Sequence, residues 1–467
     1  MRKTKIVCTI GPASGTEAGI EALIMNGMNV ARLNFSHGTF GDHLRKIRMI
    51  RRLSAKLKRP VAILQDLPGP KIRVGTAPEG GLQLEVGAEF SLTTRKIKGR
   101  PGIISVSYPD LPREVKIGDR ILLADGLMEL SVINKSDTDI TGRIVVGGVL
   151  TSHKGINLPS GTIRAASVTS KDRQALLFGL EHNVDFVAVS FVKSAADIKA
   201  AKEIIAQKGF MTPVIAKIER HEALGNIESI MAVADGVMVA RGDLGIEIPL
   251  EEVPLIQKQI IRLANKCGKP VITATQMLRS MVNTPRPTRA EVTDVVNAVL
   301  DGTDAVMLSE ETATGDYPVA AVKYMDRLTV TAETKFPYNK YLQFVPDKNV
   351  SESVAHASCV LADHLGASAI VAYTQSGLTA GHISRFRPRQ PIIALSPNKE
   401  TVRKLGLVWG CLPHLIQNIR DTDDVFEKAT QSALETGEVK KGQTIVITSG
   451  HPIGVMGKTN MLRVKIV

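Results

Sequence analysis

The chain has few cysteines. Four occur in 467 residues, Cys8, Cys267, Cys359 and Cys411, widely spaced, with no Cys-x-x-Cys pair and no histidines clustered at zinc-ligand spacing. That excludes a disulfide scaffold and a zinc cluster, and the four are expected as buried thiols in a reducing compartment. Aromatic residues are scarce too, at 4%. Lys and Arg outnumber Asp and Glu by 59 to 46, a formal net charge of +13, but they are spread through the chain without any recognisable RNA or DNA module. A nucleic-acid binder is therefore disfavoured, and the charge fits the steering of small polyanions into a cleft. No apolar run is long enough to cross a membrane. The opening MRKTKIVCTIGP holds an apolar run of about six residues that enters a Gly-Pro turn, which reads as a strand and not a signal peptide. The expected setting is the cytoplasm, with neither membrane nor nucleic acid as partner.

What is present is a globular composition, 43% hydrophobic and 22% charged, and a length that suggests about three domains. Apolar runs at Lys5–Ile10, Asn29–Leu33, Val61–Leu64, Phe186–Val189, Val214–Ile218, Val237–Ala240, Val271–Ala274 and Ala305–Leu308 alternate with amphipathic stretches such as His43–Leu57, Ala195–Lys208 and Arg289–Leu300. This alternation implies a parallel sheet, and its spacing predicts a closed (β/α)8 TIM barrel over residues 1–66 and 171–335. Residues 67–170 interrupt it with many glycines and short alternating runs at Gln83–Val86, Glu89–Thr93, Arg120–Leu123 and Asp139–Val146, which predicts an inserted small β-barrel domain. Placed in a βα loop, that domain sits over the C-terminal face of the barrel as a hinged lid. Residues 336–467, with strands at Ala369–Tyr373, Ile392–Leu395 and Thr444–Thr448, predict an open α/β domain. Its turn from Thr374 to Thr379 opens a helix straight after a strand. Backbone amides there can cradle a phosphate, so Thr374, Ser376, Thr379, Arg385 and Arg387 are candidates for a regulatory phosphorylated small molecule; an ordinary strand-to-helix turn is the alternative.

The stretch that the rest serves is Pro213 to Glu247, PVIAKIERHEALGNIESIMAVADGVMVARGDLGIE. Its two apolar runs end in charge, Lys217 and Glu219 on the first, Arg241 and Asp243 on the second. A carboxylate leaving an apolar strand is costly unless it is paired or holds a cation, so Lys217, Glu219 and Asp243 together suggest a metal and an anion in one place, against the plainer reading of surface salt bridges. The other strand exits add Arg32, Asn34, Ser36, His37, Asp66, Ser190, Lys193, Thr275, Gln276, Ser309, Glu310 and Glu311. All fall on the face where barrel enzymes keep their chemistry, and cations beside carboxylates able to hold a divalent ion are the toolkit of phosphoryl transfer.

The motifs TKIVCTIGPAS, NVARLNFSHG, PGPKIR, ADGL, HKGINLP, VAVSFVKS, AKIER, MVARGDLGIEIP, ITATQML, NTPRPTRAEVTDV, DGTDAVMLSEET and SGHPIGVMGKTNMLRV follow one another through essentially the whole chain. This series resembles the pyruvate kinase family, whose reaction moves the phosphoryl group of phosphoenolpyruvate to ADP and protonates the enolate to pyruvate. A different phosphoenolpyruvate-using barrel enzyme would often carry a phosphorylated histidine on a separate domain, and no His here has that setting.

The resemblance implies roles by position. Arg32 and Lys217 neutralise the transferring phosphoryl group, Glu219 and Asp243 are ligands of magnesium or manganese, and the backbone around Gly242 cradles the pyruvate carboxylate. Thr275 resembles the hydroxyl associated with proton delivery to the enolate. Asn34, Ser36, Asp66 and Leu67 resemble a monovalent-cation pocket, and His37, Arg73 and Lys154 resemble nucleotide contacts; helix capping by His37 and a bond from Thr275 to its own turn are the structural alternatives. A homotetramer is implied as well. The chain departs from the commonest family pattern at Asp66-Leu-Pro-Gly-Pro-Lys71, at Glu310 and at Ser160. Lys71 stands where many members carry Glu, so its ammonium is expected to fill the electrostatic role of potassium and remove the requirement for that ion.

Overall fold

Runs of β-branched and small apolar residues form β1 (Lys5–Thr9), β2 (Val30–Asn34), β3 (Ala62–Asp66), β4 (Phe186–Val189), β5 (Val214–Ile218), β6 (Gly236–Ala240), β7 (Val271–Ala274) and β8 (Ala305–Leu308). The computed structural model describes residues 1–159, 166–417, 419–453 and 457–467; Ser160 and part of the closing motif lie outside the described residues. The eight strands pair in parallel and close as β1-β8-β7-β6-β5-β4-β3-β2. Strands covered by helices on one side and packed side chains on the other need apolar residues on both faces, and β3 to β8 are buried along their whole lengths. Alternation along each strand sorts the two faces. Val7, Val30, Leu64, Ala188, Ile215 and Met238 fill the barrel interior, whereas Ile6, Ala31, Ile63, Val187, Ala216 and Val237 face the helical shell.

The insertion follows β3. It builds a six-stranded sheet and a two-stranded sheet around its own core, which includes Ile72, Phe90, Leu92, Ile121, Leu130 and Ile144. Strands at Ile103–Ser105, Met128–Lys135, Gly148–Leu150 and Ile156–Asn157 join those expected from sequence. The C-terminal domain has β9 (Ala369–Tyr373), β10 (Ile392–Ser396), β11 (Cys411–Leu415), β12 (Thr444–Ser449) and β13 (Met461–Ile466), in the order β11-β10-β9-β12-β13 with the last strand antiparallel.

This domain docks on the floor of the barrel, opposite the insertion. Lys5 at the start of β1 donates to the Cys411 carbonyl at 2.6 Å. Arg387 reaches Asp304, just before β8, at 2.9 Å and Asn265 at 2.5 Å. Arg403 pairs at 2.7 Å with Asp185, just before β4. Trp409 is fully buried against Phe336, with Lys3 and Arg387 over its ring.

Three expectations are corrected here. Arg387 is committed to the barrel floor, and Arg385 is 4% exposed in an ion pair with Glu352. Thr379 is buried with its hydroxyl on that of Thr459 at 2.7 Å. Their place near a turn that opens a helix had suggested an anion-binding role, but long-range acidic partners hold both arginines. Cys267, expected to be buried, is exposed because it caps the end of its helix; the other three cysteines are buried.

Burial pushes the Lys5 ammonium down to about 8 from the ordinary 10.5. Between those two pH values the unfolded chain holds the proton and the folded chain does not, so the stability contributed by Lys5 grows as pH rises through that window. Denaturant unfolding of the parent and Lys5→Met should show the difference shifting in the parent's favour by about 3 kcal/mol from pH 8 to 10.5. A difference that does not change with pH would rule the burial argument out.

Candidate active site

Two residues beyond the last apolar interior position of five strands, the side chain still points inward but is polar: Thr9, Arg32, Asp66, Ser190 and Lys217. The barrel core therefore ends in a polar layer at the C-terminal face. Arg32 holds Asp66 through Nε at 2.7 Å and Nη2 at 2.6 Å, and donates from Nη1 to the Thr9 hydroxyl at 2.9 Å. Lys217 Nζ lies 3.2 Å from Asp66 Oδ1, 2.8 Å from Glu219 Oε1 and 2.6 Å from the Ser190 hydroxyl. Ser190 in turn donates to the Leu67 carbonyl at 2.7 Å, and the Phe191 N–H donates to Glu219 Oε2 at 2.8 Å.

Burial shapes the titration of this cluster. On its own it would lower the Lys217 pKa, but the carboxylates of Asp66 and Glu219 outweigh it and hold the ammonium above the ordinary lysine value. Burial would raise Asp66, yet Lys217 and Arg32 keep it below the usual carboxylate range. Burial raises Glu219, opposed by Lys217 and assisted by the nearby charge of Asp243. Lys217 is thus a fixed cation.

Asp243 sits in the first turn of the helix Arg241–Glu247, which leaves β6. The Gly242 N–H donates to the Thr275 hydroxyl at 2.7 Å, and that hydroxyl donates to the Ala274 carbonyl at 2.6 Å. So the bond from Thr275 to its own turn is present alongside its contact with Gly242. Thr275 and Gln276 have φ of 68° and 56°. A β-branched residue in this region is strained by roughly 1–3 kcal/mol, and such strain gathers at functional sites. What holds it is Arg241, whose guanidinium donates to the Thr275 carbonyl at 2.8 Å and to Asp294 at 2.6 Å. The Arg241 side chain is a brace for the turn, a role that its position in the sequence did not disclose.

The other expected residues fall around this centre. Asn34 is the register neighbour of Asp66, and its Oδ1 accepts from the Ser36 N–H at 3.0 Å. His37 is exposed and lines an open cleft with Pro12, Asn34, Arg45 and Lys46. It does not cap the following helix, because Thr39 does. Arg45 and Lys46 are additions that sequence alone did not single out. Arg73 and Lys154 lie on one ribbon of the lid, where the Arg73 guanidinium donates to the His153 carbonyl at 2.9 Å and the Val74 N–H to the Lys154 carbonyl at 2.9 Å. Lys71 is partly exposed and meets two carboxylates. Its Nζ is 3.4 Å from Asp125 of the lid and 3.9 Å from Asp243. Glu310 pairs with Arg279 at 2.9 Å, both half exposed, a contact worth less than about 1 kcal/mol.

The chain matches the model "Pyruvate kinase, barrel domain" over residues 1–322 and the model "Pyruvate kinase, alpha/beta domain" over residues 352–465. The chain belongs to the pyruvate kinase family. Pyruvate kinase 2 of Synechocystis sp. is 46% identical over 100% of this chain and 79% of its own length. The pyruvate kinase of Staphylococcus aureus strain MRSA252 is 47% identical over 100% of this chain and 81% of its own. As a pyruvate kinase the protein is a phosphotransferase that converts phosphoenolpyruvate and ADP to pyruvate and ATP, a glycolytic reaction.

Glu219 and Asp243 offer hard oxygen donors, and Glu219 is 1% exposed with one cationic neighbour. A buried carboxylate whose charge is disfavoured by burial and by a second carboxylate suits a divalent cation of the kind this family uses. The Asp66 carboxylate carries the two cations of the cluster. Asp66→Asn should therefore cost about 3–5 kcal/mol of stability, since it leaves buried positive charge unpaired, and urea unfolding would show it. A loss under 1 kcal/mol in such a titration would mean that the cluster is hydrated.

Proposed function

We propose that phosphoryl transfer in this enzyme depends on magnesium or manganese held by Glu219 and Asp243, with Lys217 and Arg32 neutralising the transferring group. The observation that supports this reading is the Lys217 ammonium fixed between Asp66, Glu219 and Ser190 at the barrel mouth, next to Asp243. When bound, the cation supplies positive charge to the phosphoryl oxygens. Lys217 and Arg32 add fixed charge to the same oxygens, and because a loose transfer needs mainly positioning and cations, that charge acts most strongly as the transition state forms. The Gly242 N–H is placed for the substrate carboxylate and would exchange its bond from the Thr275 hydroxyl to do so. Thr275 is then free to orient the water that protonates the enolate. His37 on the barrel and Arg73 and Lys154 on the lid take the nucleotide, so lid closure joins the two halves of its site and excludes water. Regulation through the turn at Thr374–Ser376 and assembly as a homotetramer belong to the same proposal and rest on the sequence resemblance.

Lys217→Met should lower kcat by about 10³-fold, as expected for loss of a charge felt mainly in the transition state, while equilibrium binding of phosphoenolpyruvate changes little. A folded variant that keeps half the parental turnover would remove Lys217 from the chemistry.

Potassium independence is proposed in a revised form. Lys71 brings its charge to Asp243 and Asp125, so it offsets negative charge at the edge of the site. Activity in a buffer whose only monovalent cation is a bulky amine should match that with potassium, and Lys71→Glu should gain a potassium requirement of several fold. A many-fold rise of the parent's rate on adding potassium at constant ionic strength would overturn this.

A further inference from the structure

The helix Arg241–Glu247 ends in a residue that the reaction scheme does not use. The Glu247 side chain is 1% exposed, and its carboxylate is shared by separate parts of the chain. Oε2 faces His221 Nδ1 at 3.1 Å and Arg220 Nη2 at 3.8 Å, both on the segment directly after Glu219. Oε1 accepts from Asn157 Nδ2 of the lid at 3.3 Å. Glu247 also lies one helical turn from Asp243. Asn157 is 5% exposed, and its Oδ1 has no partner among the described residues, so Glu247 is what holds this amide. Other lid groups meet the same helix. Lys71 lies 3.9 Å from Asp243 and 3.4 Å from Asp125, and a Cβ built on Gly126 would stand 3.7 Å from Ile246. Among the described residues this short helix is one strip of barrel that the lid meets.

His221, Glu222 and Glu247 have ligand atoms within 4.8 Å of one another. Arg220 already neutralises them, with bonds of 2.8 Å to both oxygens of Glu222, so the cluster is a tie between segments and not a cation site.

We propose that Glu247 is a positioning residue for the transfer reaction: it latches the closed lid through Asn157 and, through the same carboxylate, fixes the helix of Asp243 against the segment of Glu219. Closing the lid and setting the spacing of those two carboxylates are then one event. When the lid lifts, the Asn157 side chain loses the one partner it has among the described residues, and Glu247 loses the bond that aims its Oε1, which leaves its helix tied to the segment of Glu219 through Oε2 alone. The inference rests on the roles of Glu219 and Asp243 proposed above, and its test is chosen to separate the two.

The experiment is a double-mutant cycle of Asn157→Ala and Glu247→Gln in the full chain, read in two ways. By steady-state kinetics each single change should lower kcat/KM roughly tenfold, mostly through kcat, and the double variant should be no worse than the poorer single one. By hydrogen exchange on the unliganded chain, the amides of Ile156 and Asn157 should exchange faster in both single variants by a similar factor, while Val214–Ile218 keep their protection. Independent, multiplying losses of activity, or unchanged exchange at Ile156 and Asn157, overturn the latch. Faster exchange with unchanged kinetics overturns the positioning role and leaves only a structural contact. If Glu247→Gln does not fold, Asn157→Ala and Asn157→Leu give the same two readings from the lid side. An error in the roles of Glu219 and Asp243 would appear instead in divalent-cation titrations of variants at those positions and would leave the exchange result untouched.

Discussion

Four charges inside the mouth of the barrel, on Arg32, Asp66, Lys217 and Glu219, are the interaction on which the rest of the molecule depends. The two cations and two anions cancel, and each is held by at least two partners at hydrogen-bond distance. In a medium less polarisable than water such a set is tolerated only when it is complete, because removing one member exposes its partner to the full cost of buried charge. Under the roles proposed for Lys217 and Arg32, the cluster must also remain reachable by an anionic substrate. A position at the last inward-facing layer of the barrel meets both demands, since apolar layers lie beneath it and the open rim above. The same conflict explains a lid hinged at the exit of β3: water has to leave for the electrostatics to act at full strength, and the substrate has to enter first.

The barrel and this layer were legible in the sequence because both follow from local periodicity. Alternation along a strand decides which residues face inward, so Val30 before Arg32, Leu64 before Asp66 and Ile215 before Lys217 already place three charged groups on one inner surface. What sequence could not supply is the identity of distant partners. Arg387 was a candidate for anion binding because it lies near the turn at Thr374–Thr379, and its partner Asp304 is 83 positions away. Arg241 stood out only as a charge at a strand exit, and its side chain turns back to brace Thr275. The strand at Met128–Lys135 was missed although its burial alternates cleanly, because it runs straight on from the Gly-containing turn that had been read only as a motif.

The brace and the latch have the same logic. A residue beside a functional group has its side chain directed away from the reacting atoms, toward the element that must keep still. Arg241 does this for the strained turn at Thr275, and Glu247 does it for the helix of Asp243. Neither carries a motif of its own, since what matters is the length and charge of the side chain relative to a partner fixed by the fold.

The density of recognisable residues in the first eleven positions has a physical cause in β1. Lys5 at its start is held by the C-terminal domain, and Thr9 at its end accepts from Arg32. A strand rises about 3.3 Å per residue and is hydrogen-bonded on both sides here, so it acts as a stiff rod of about 13 Å between the floor and the mouth of the barrel. Every inward position on it is constrained from one end or the other, by the domain interface at Lys5, by barrel packing at Val7, and by the charge cluster at Thr9. The outward positions Ile6 and Cys8 are fully buried against the helices. A strand with no free face and both ends engaged leaves few substitutions neutral, which is why so short a segment can carry so much of the fold and of the site together.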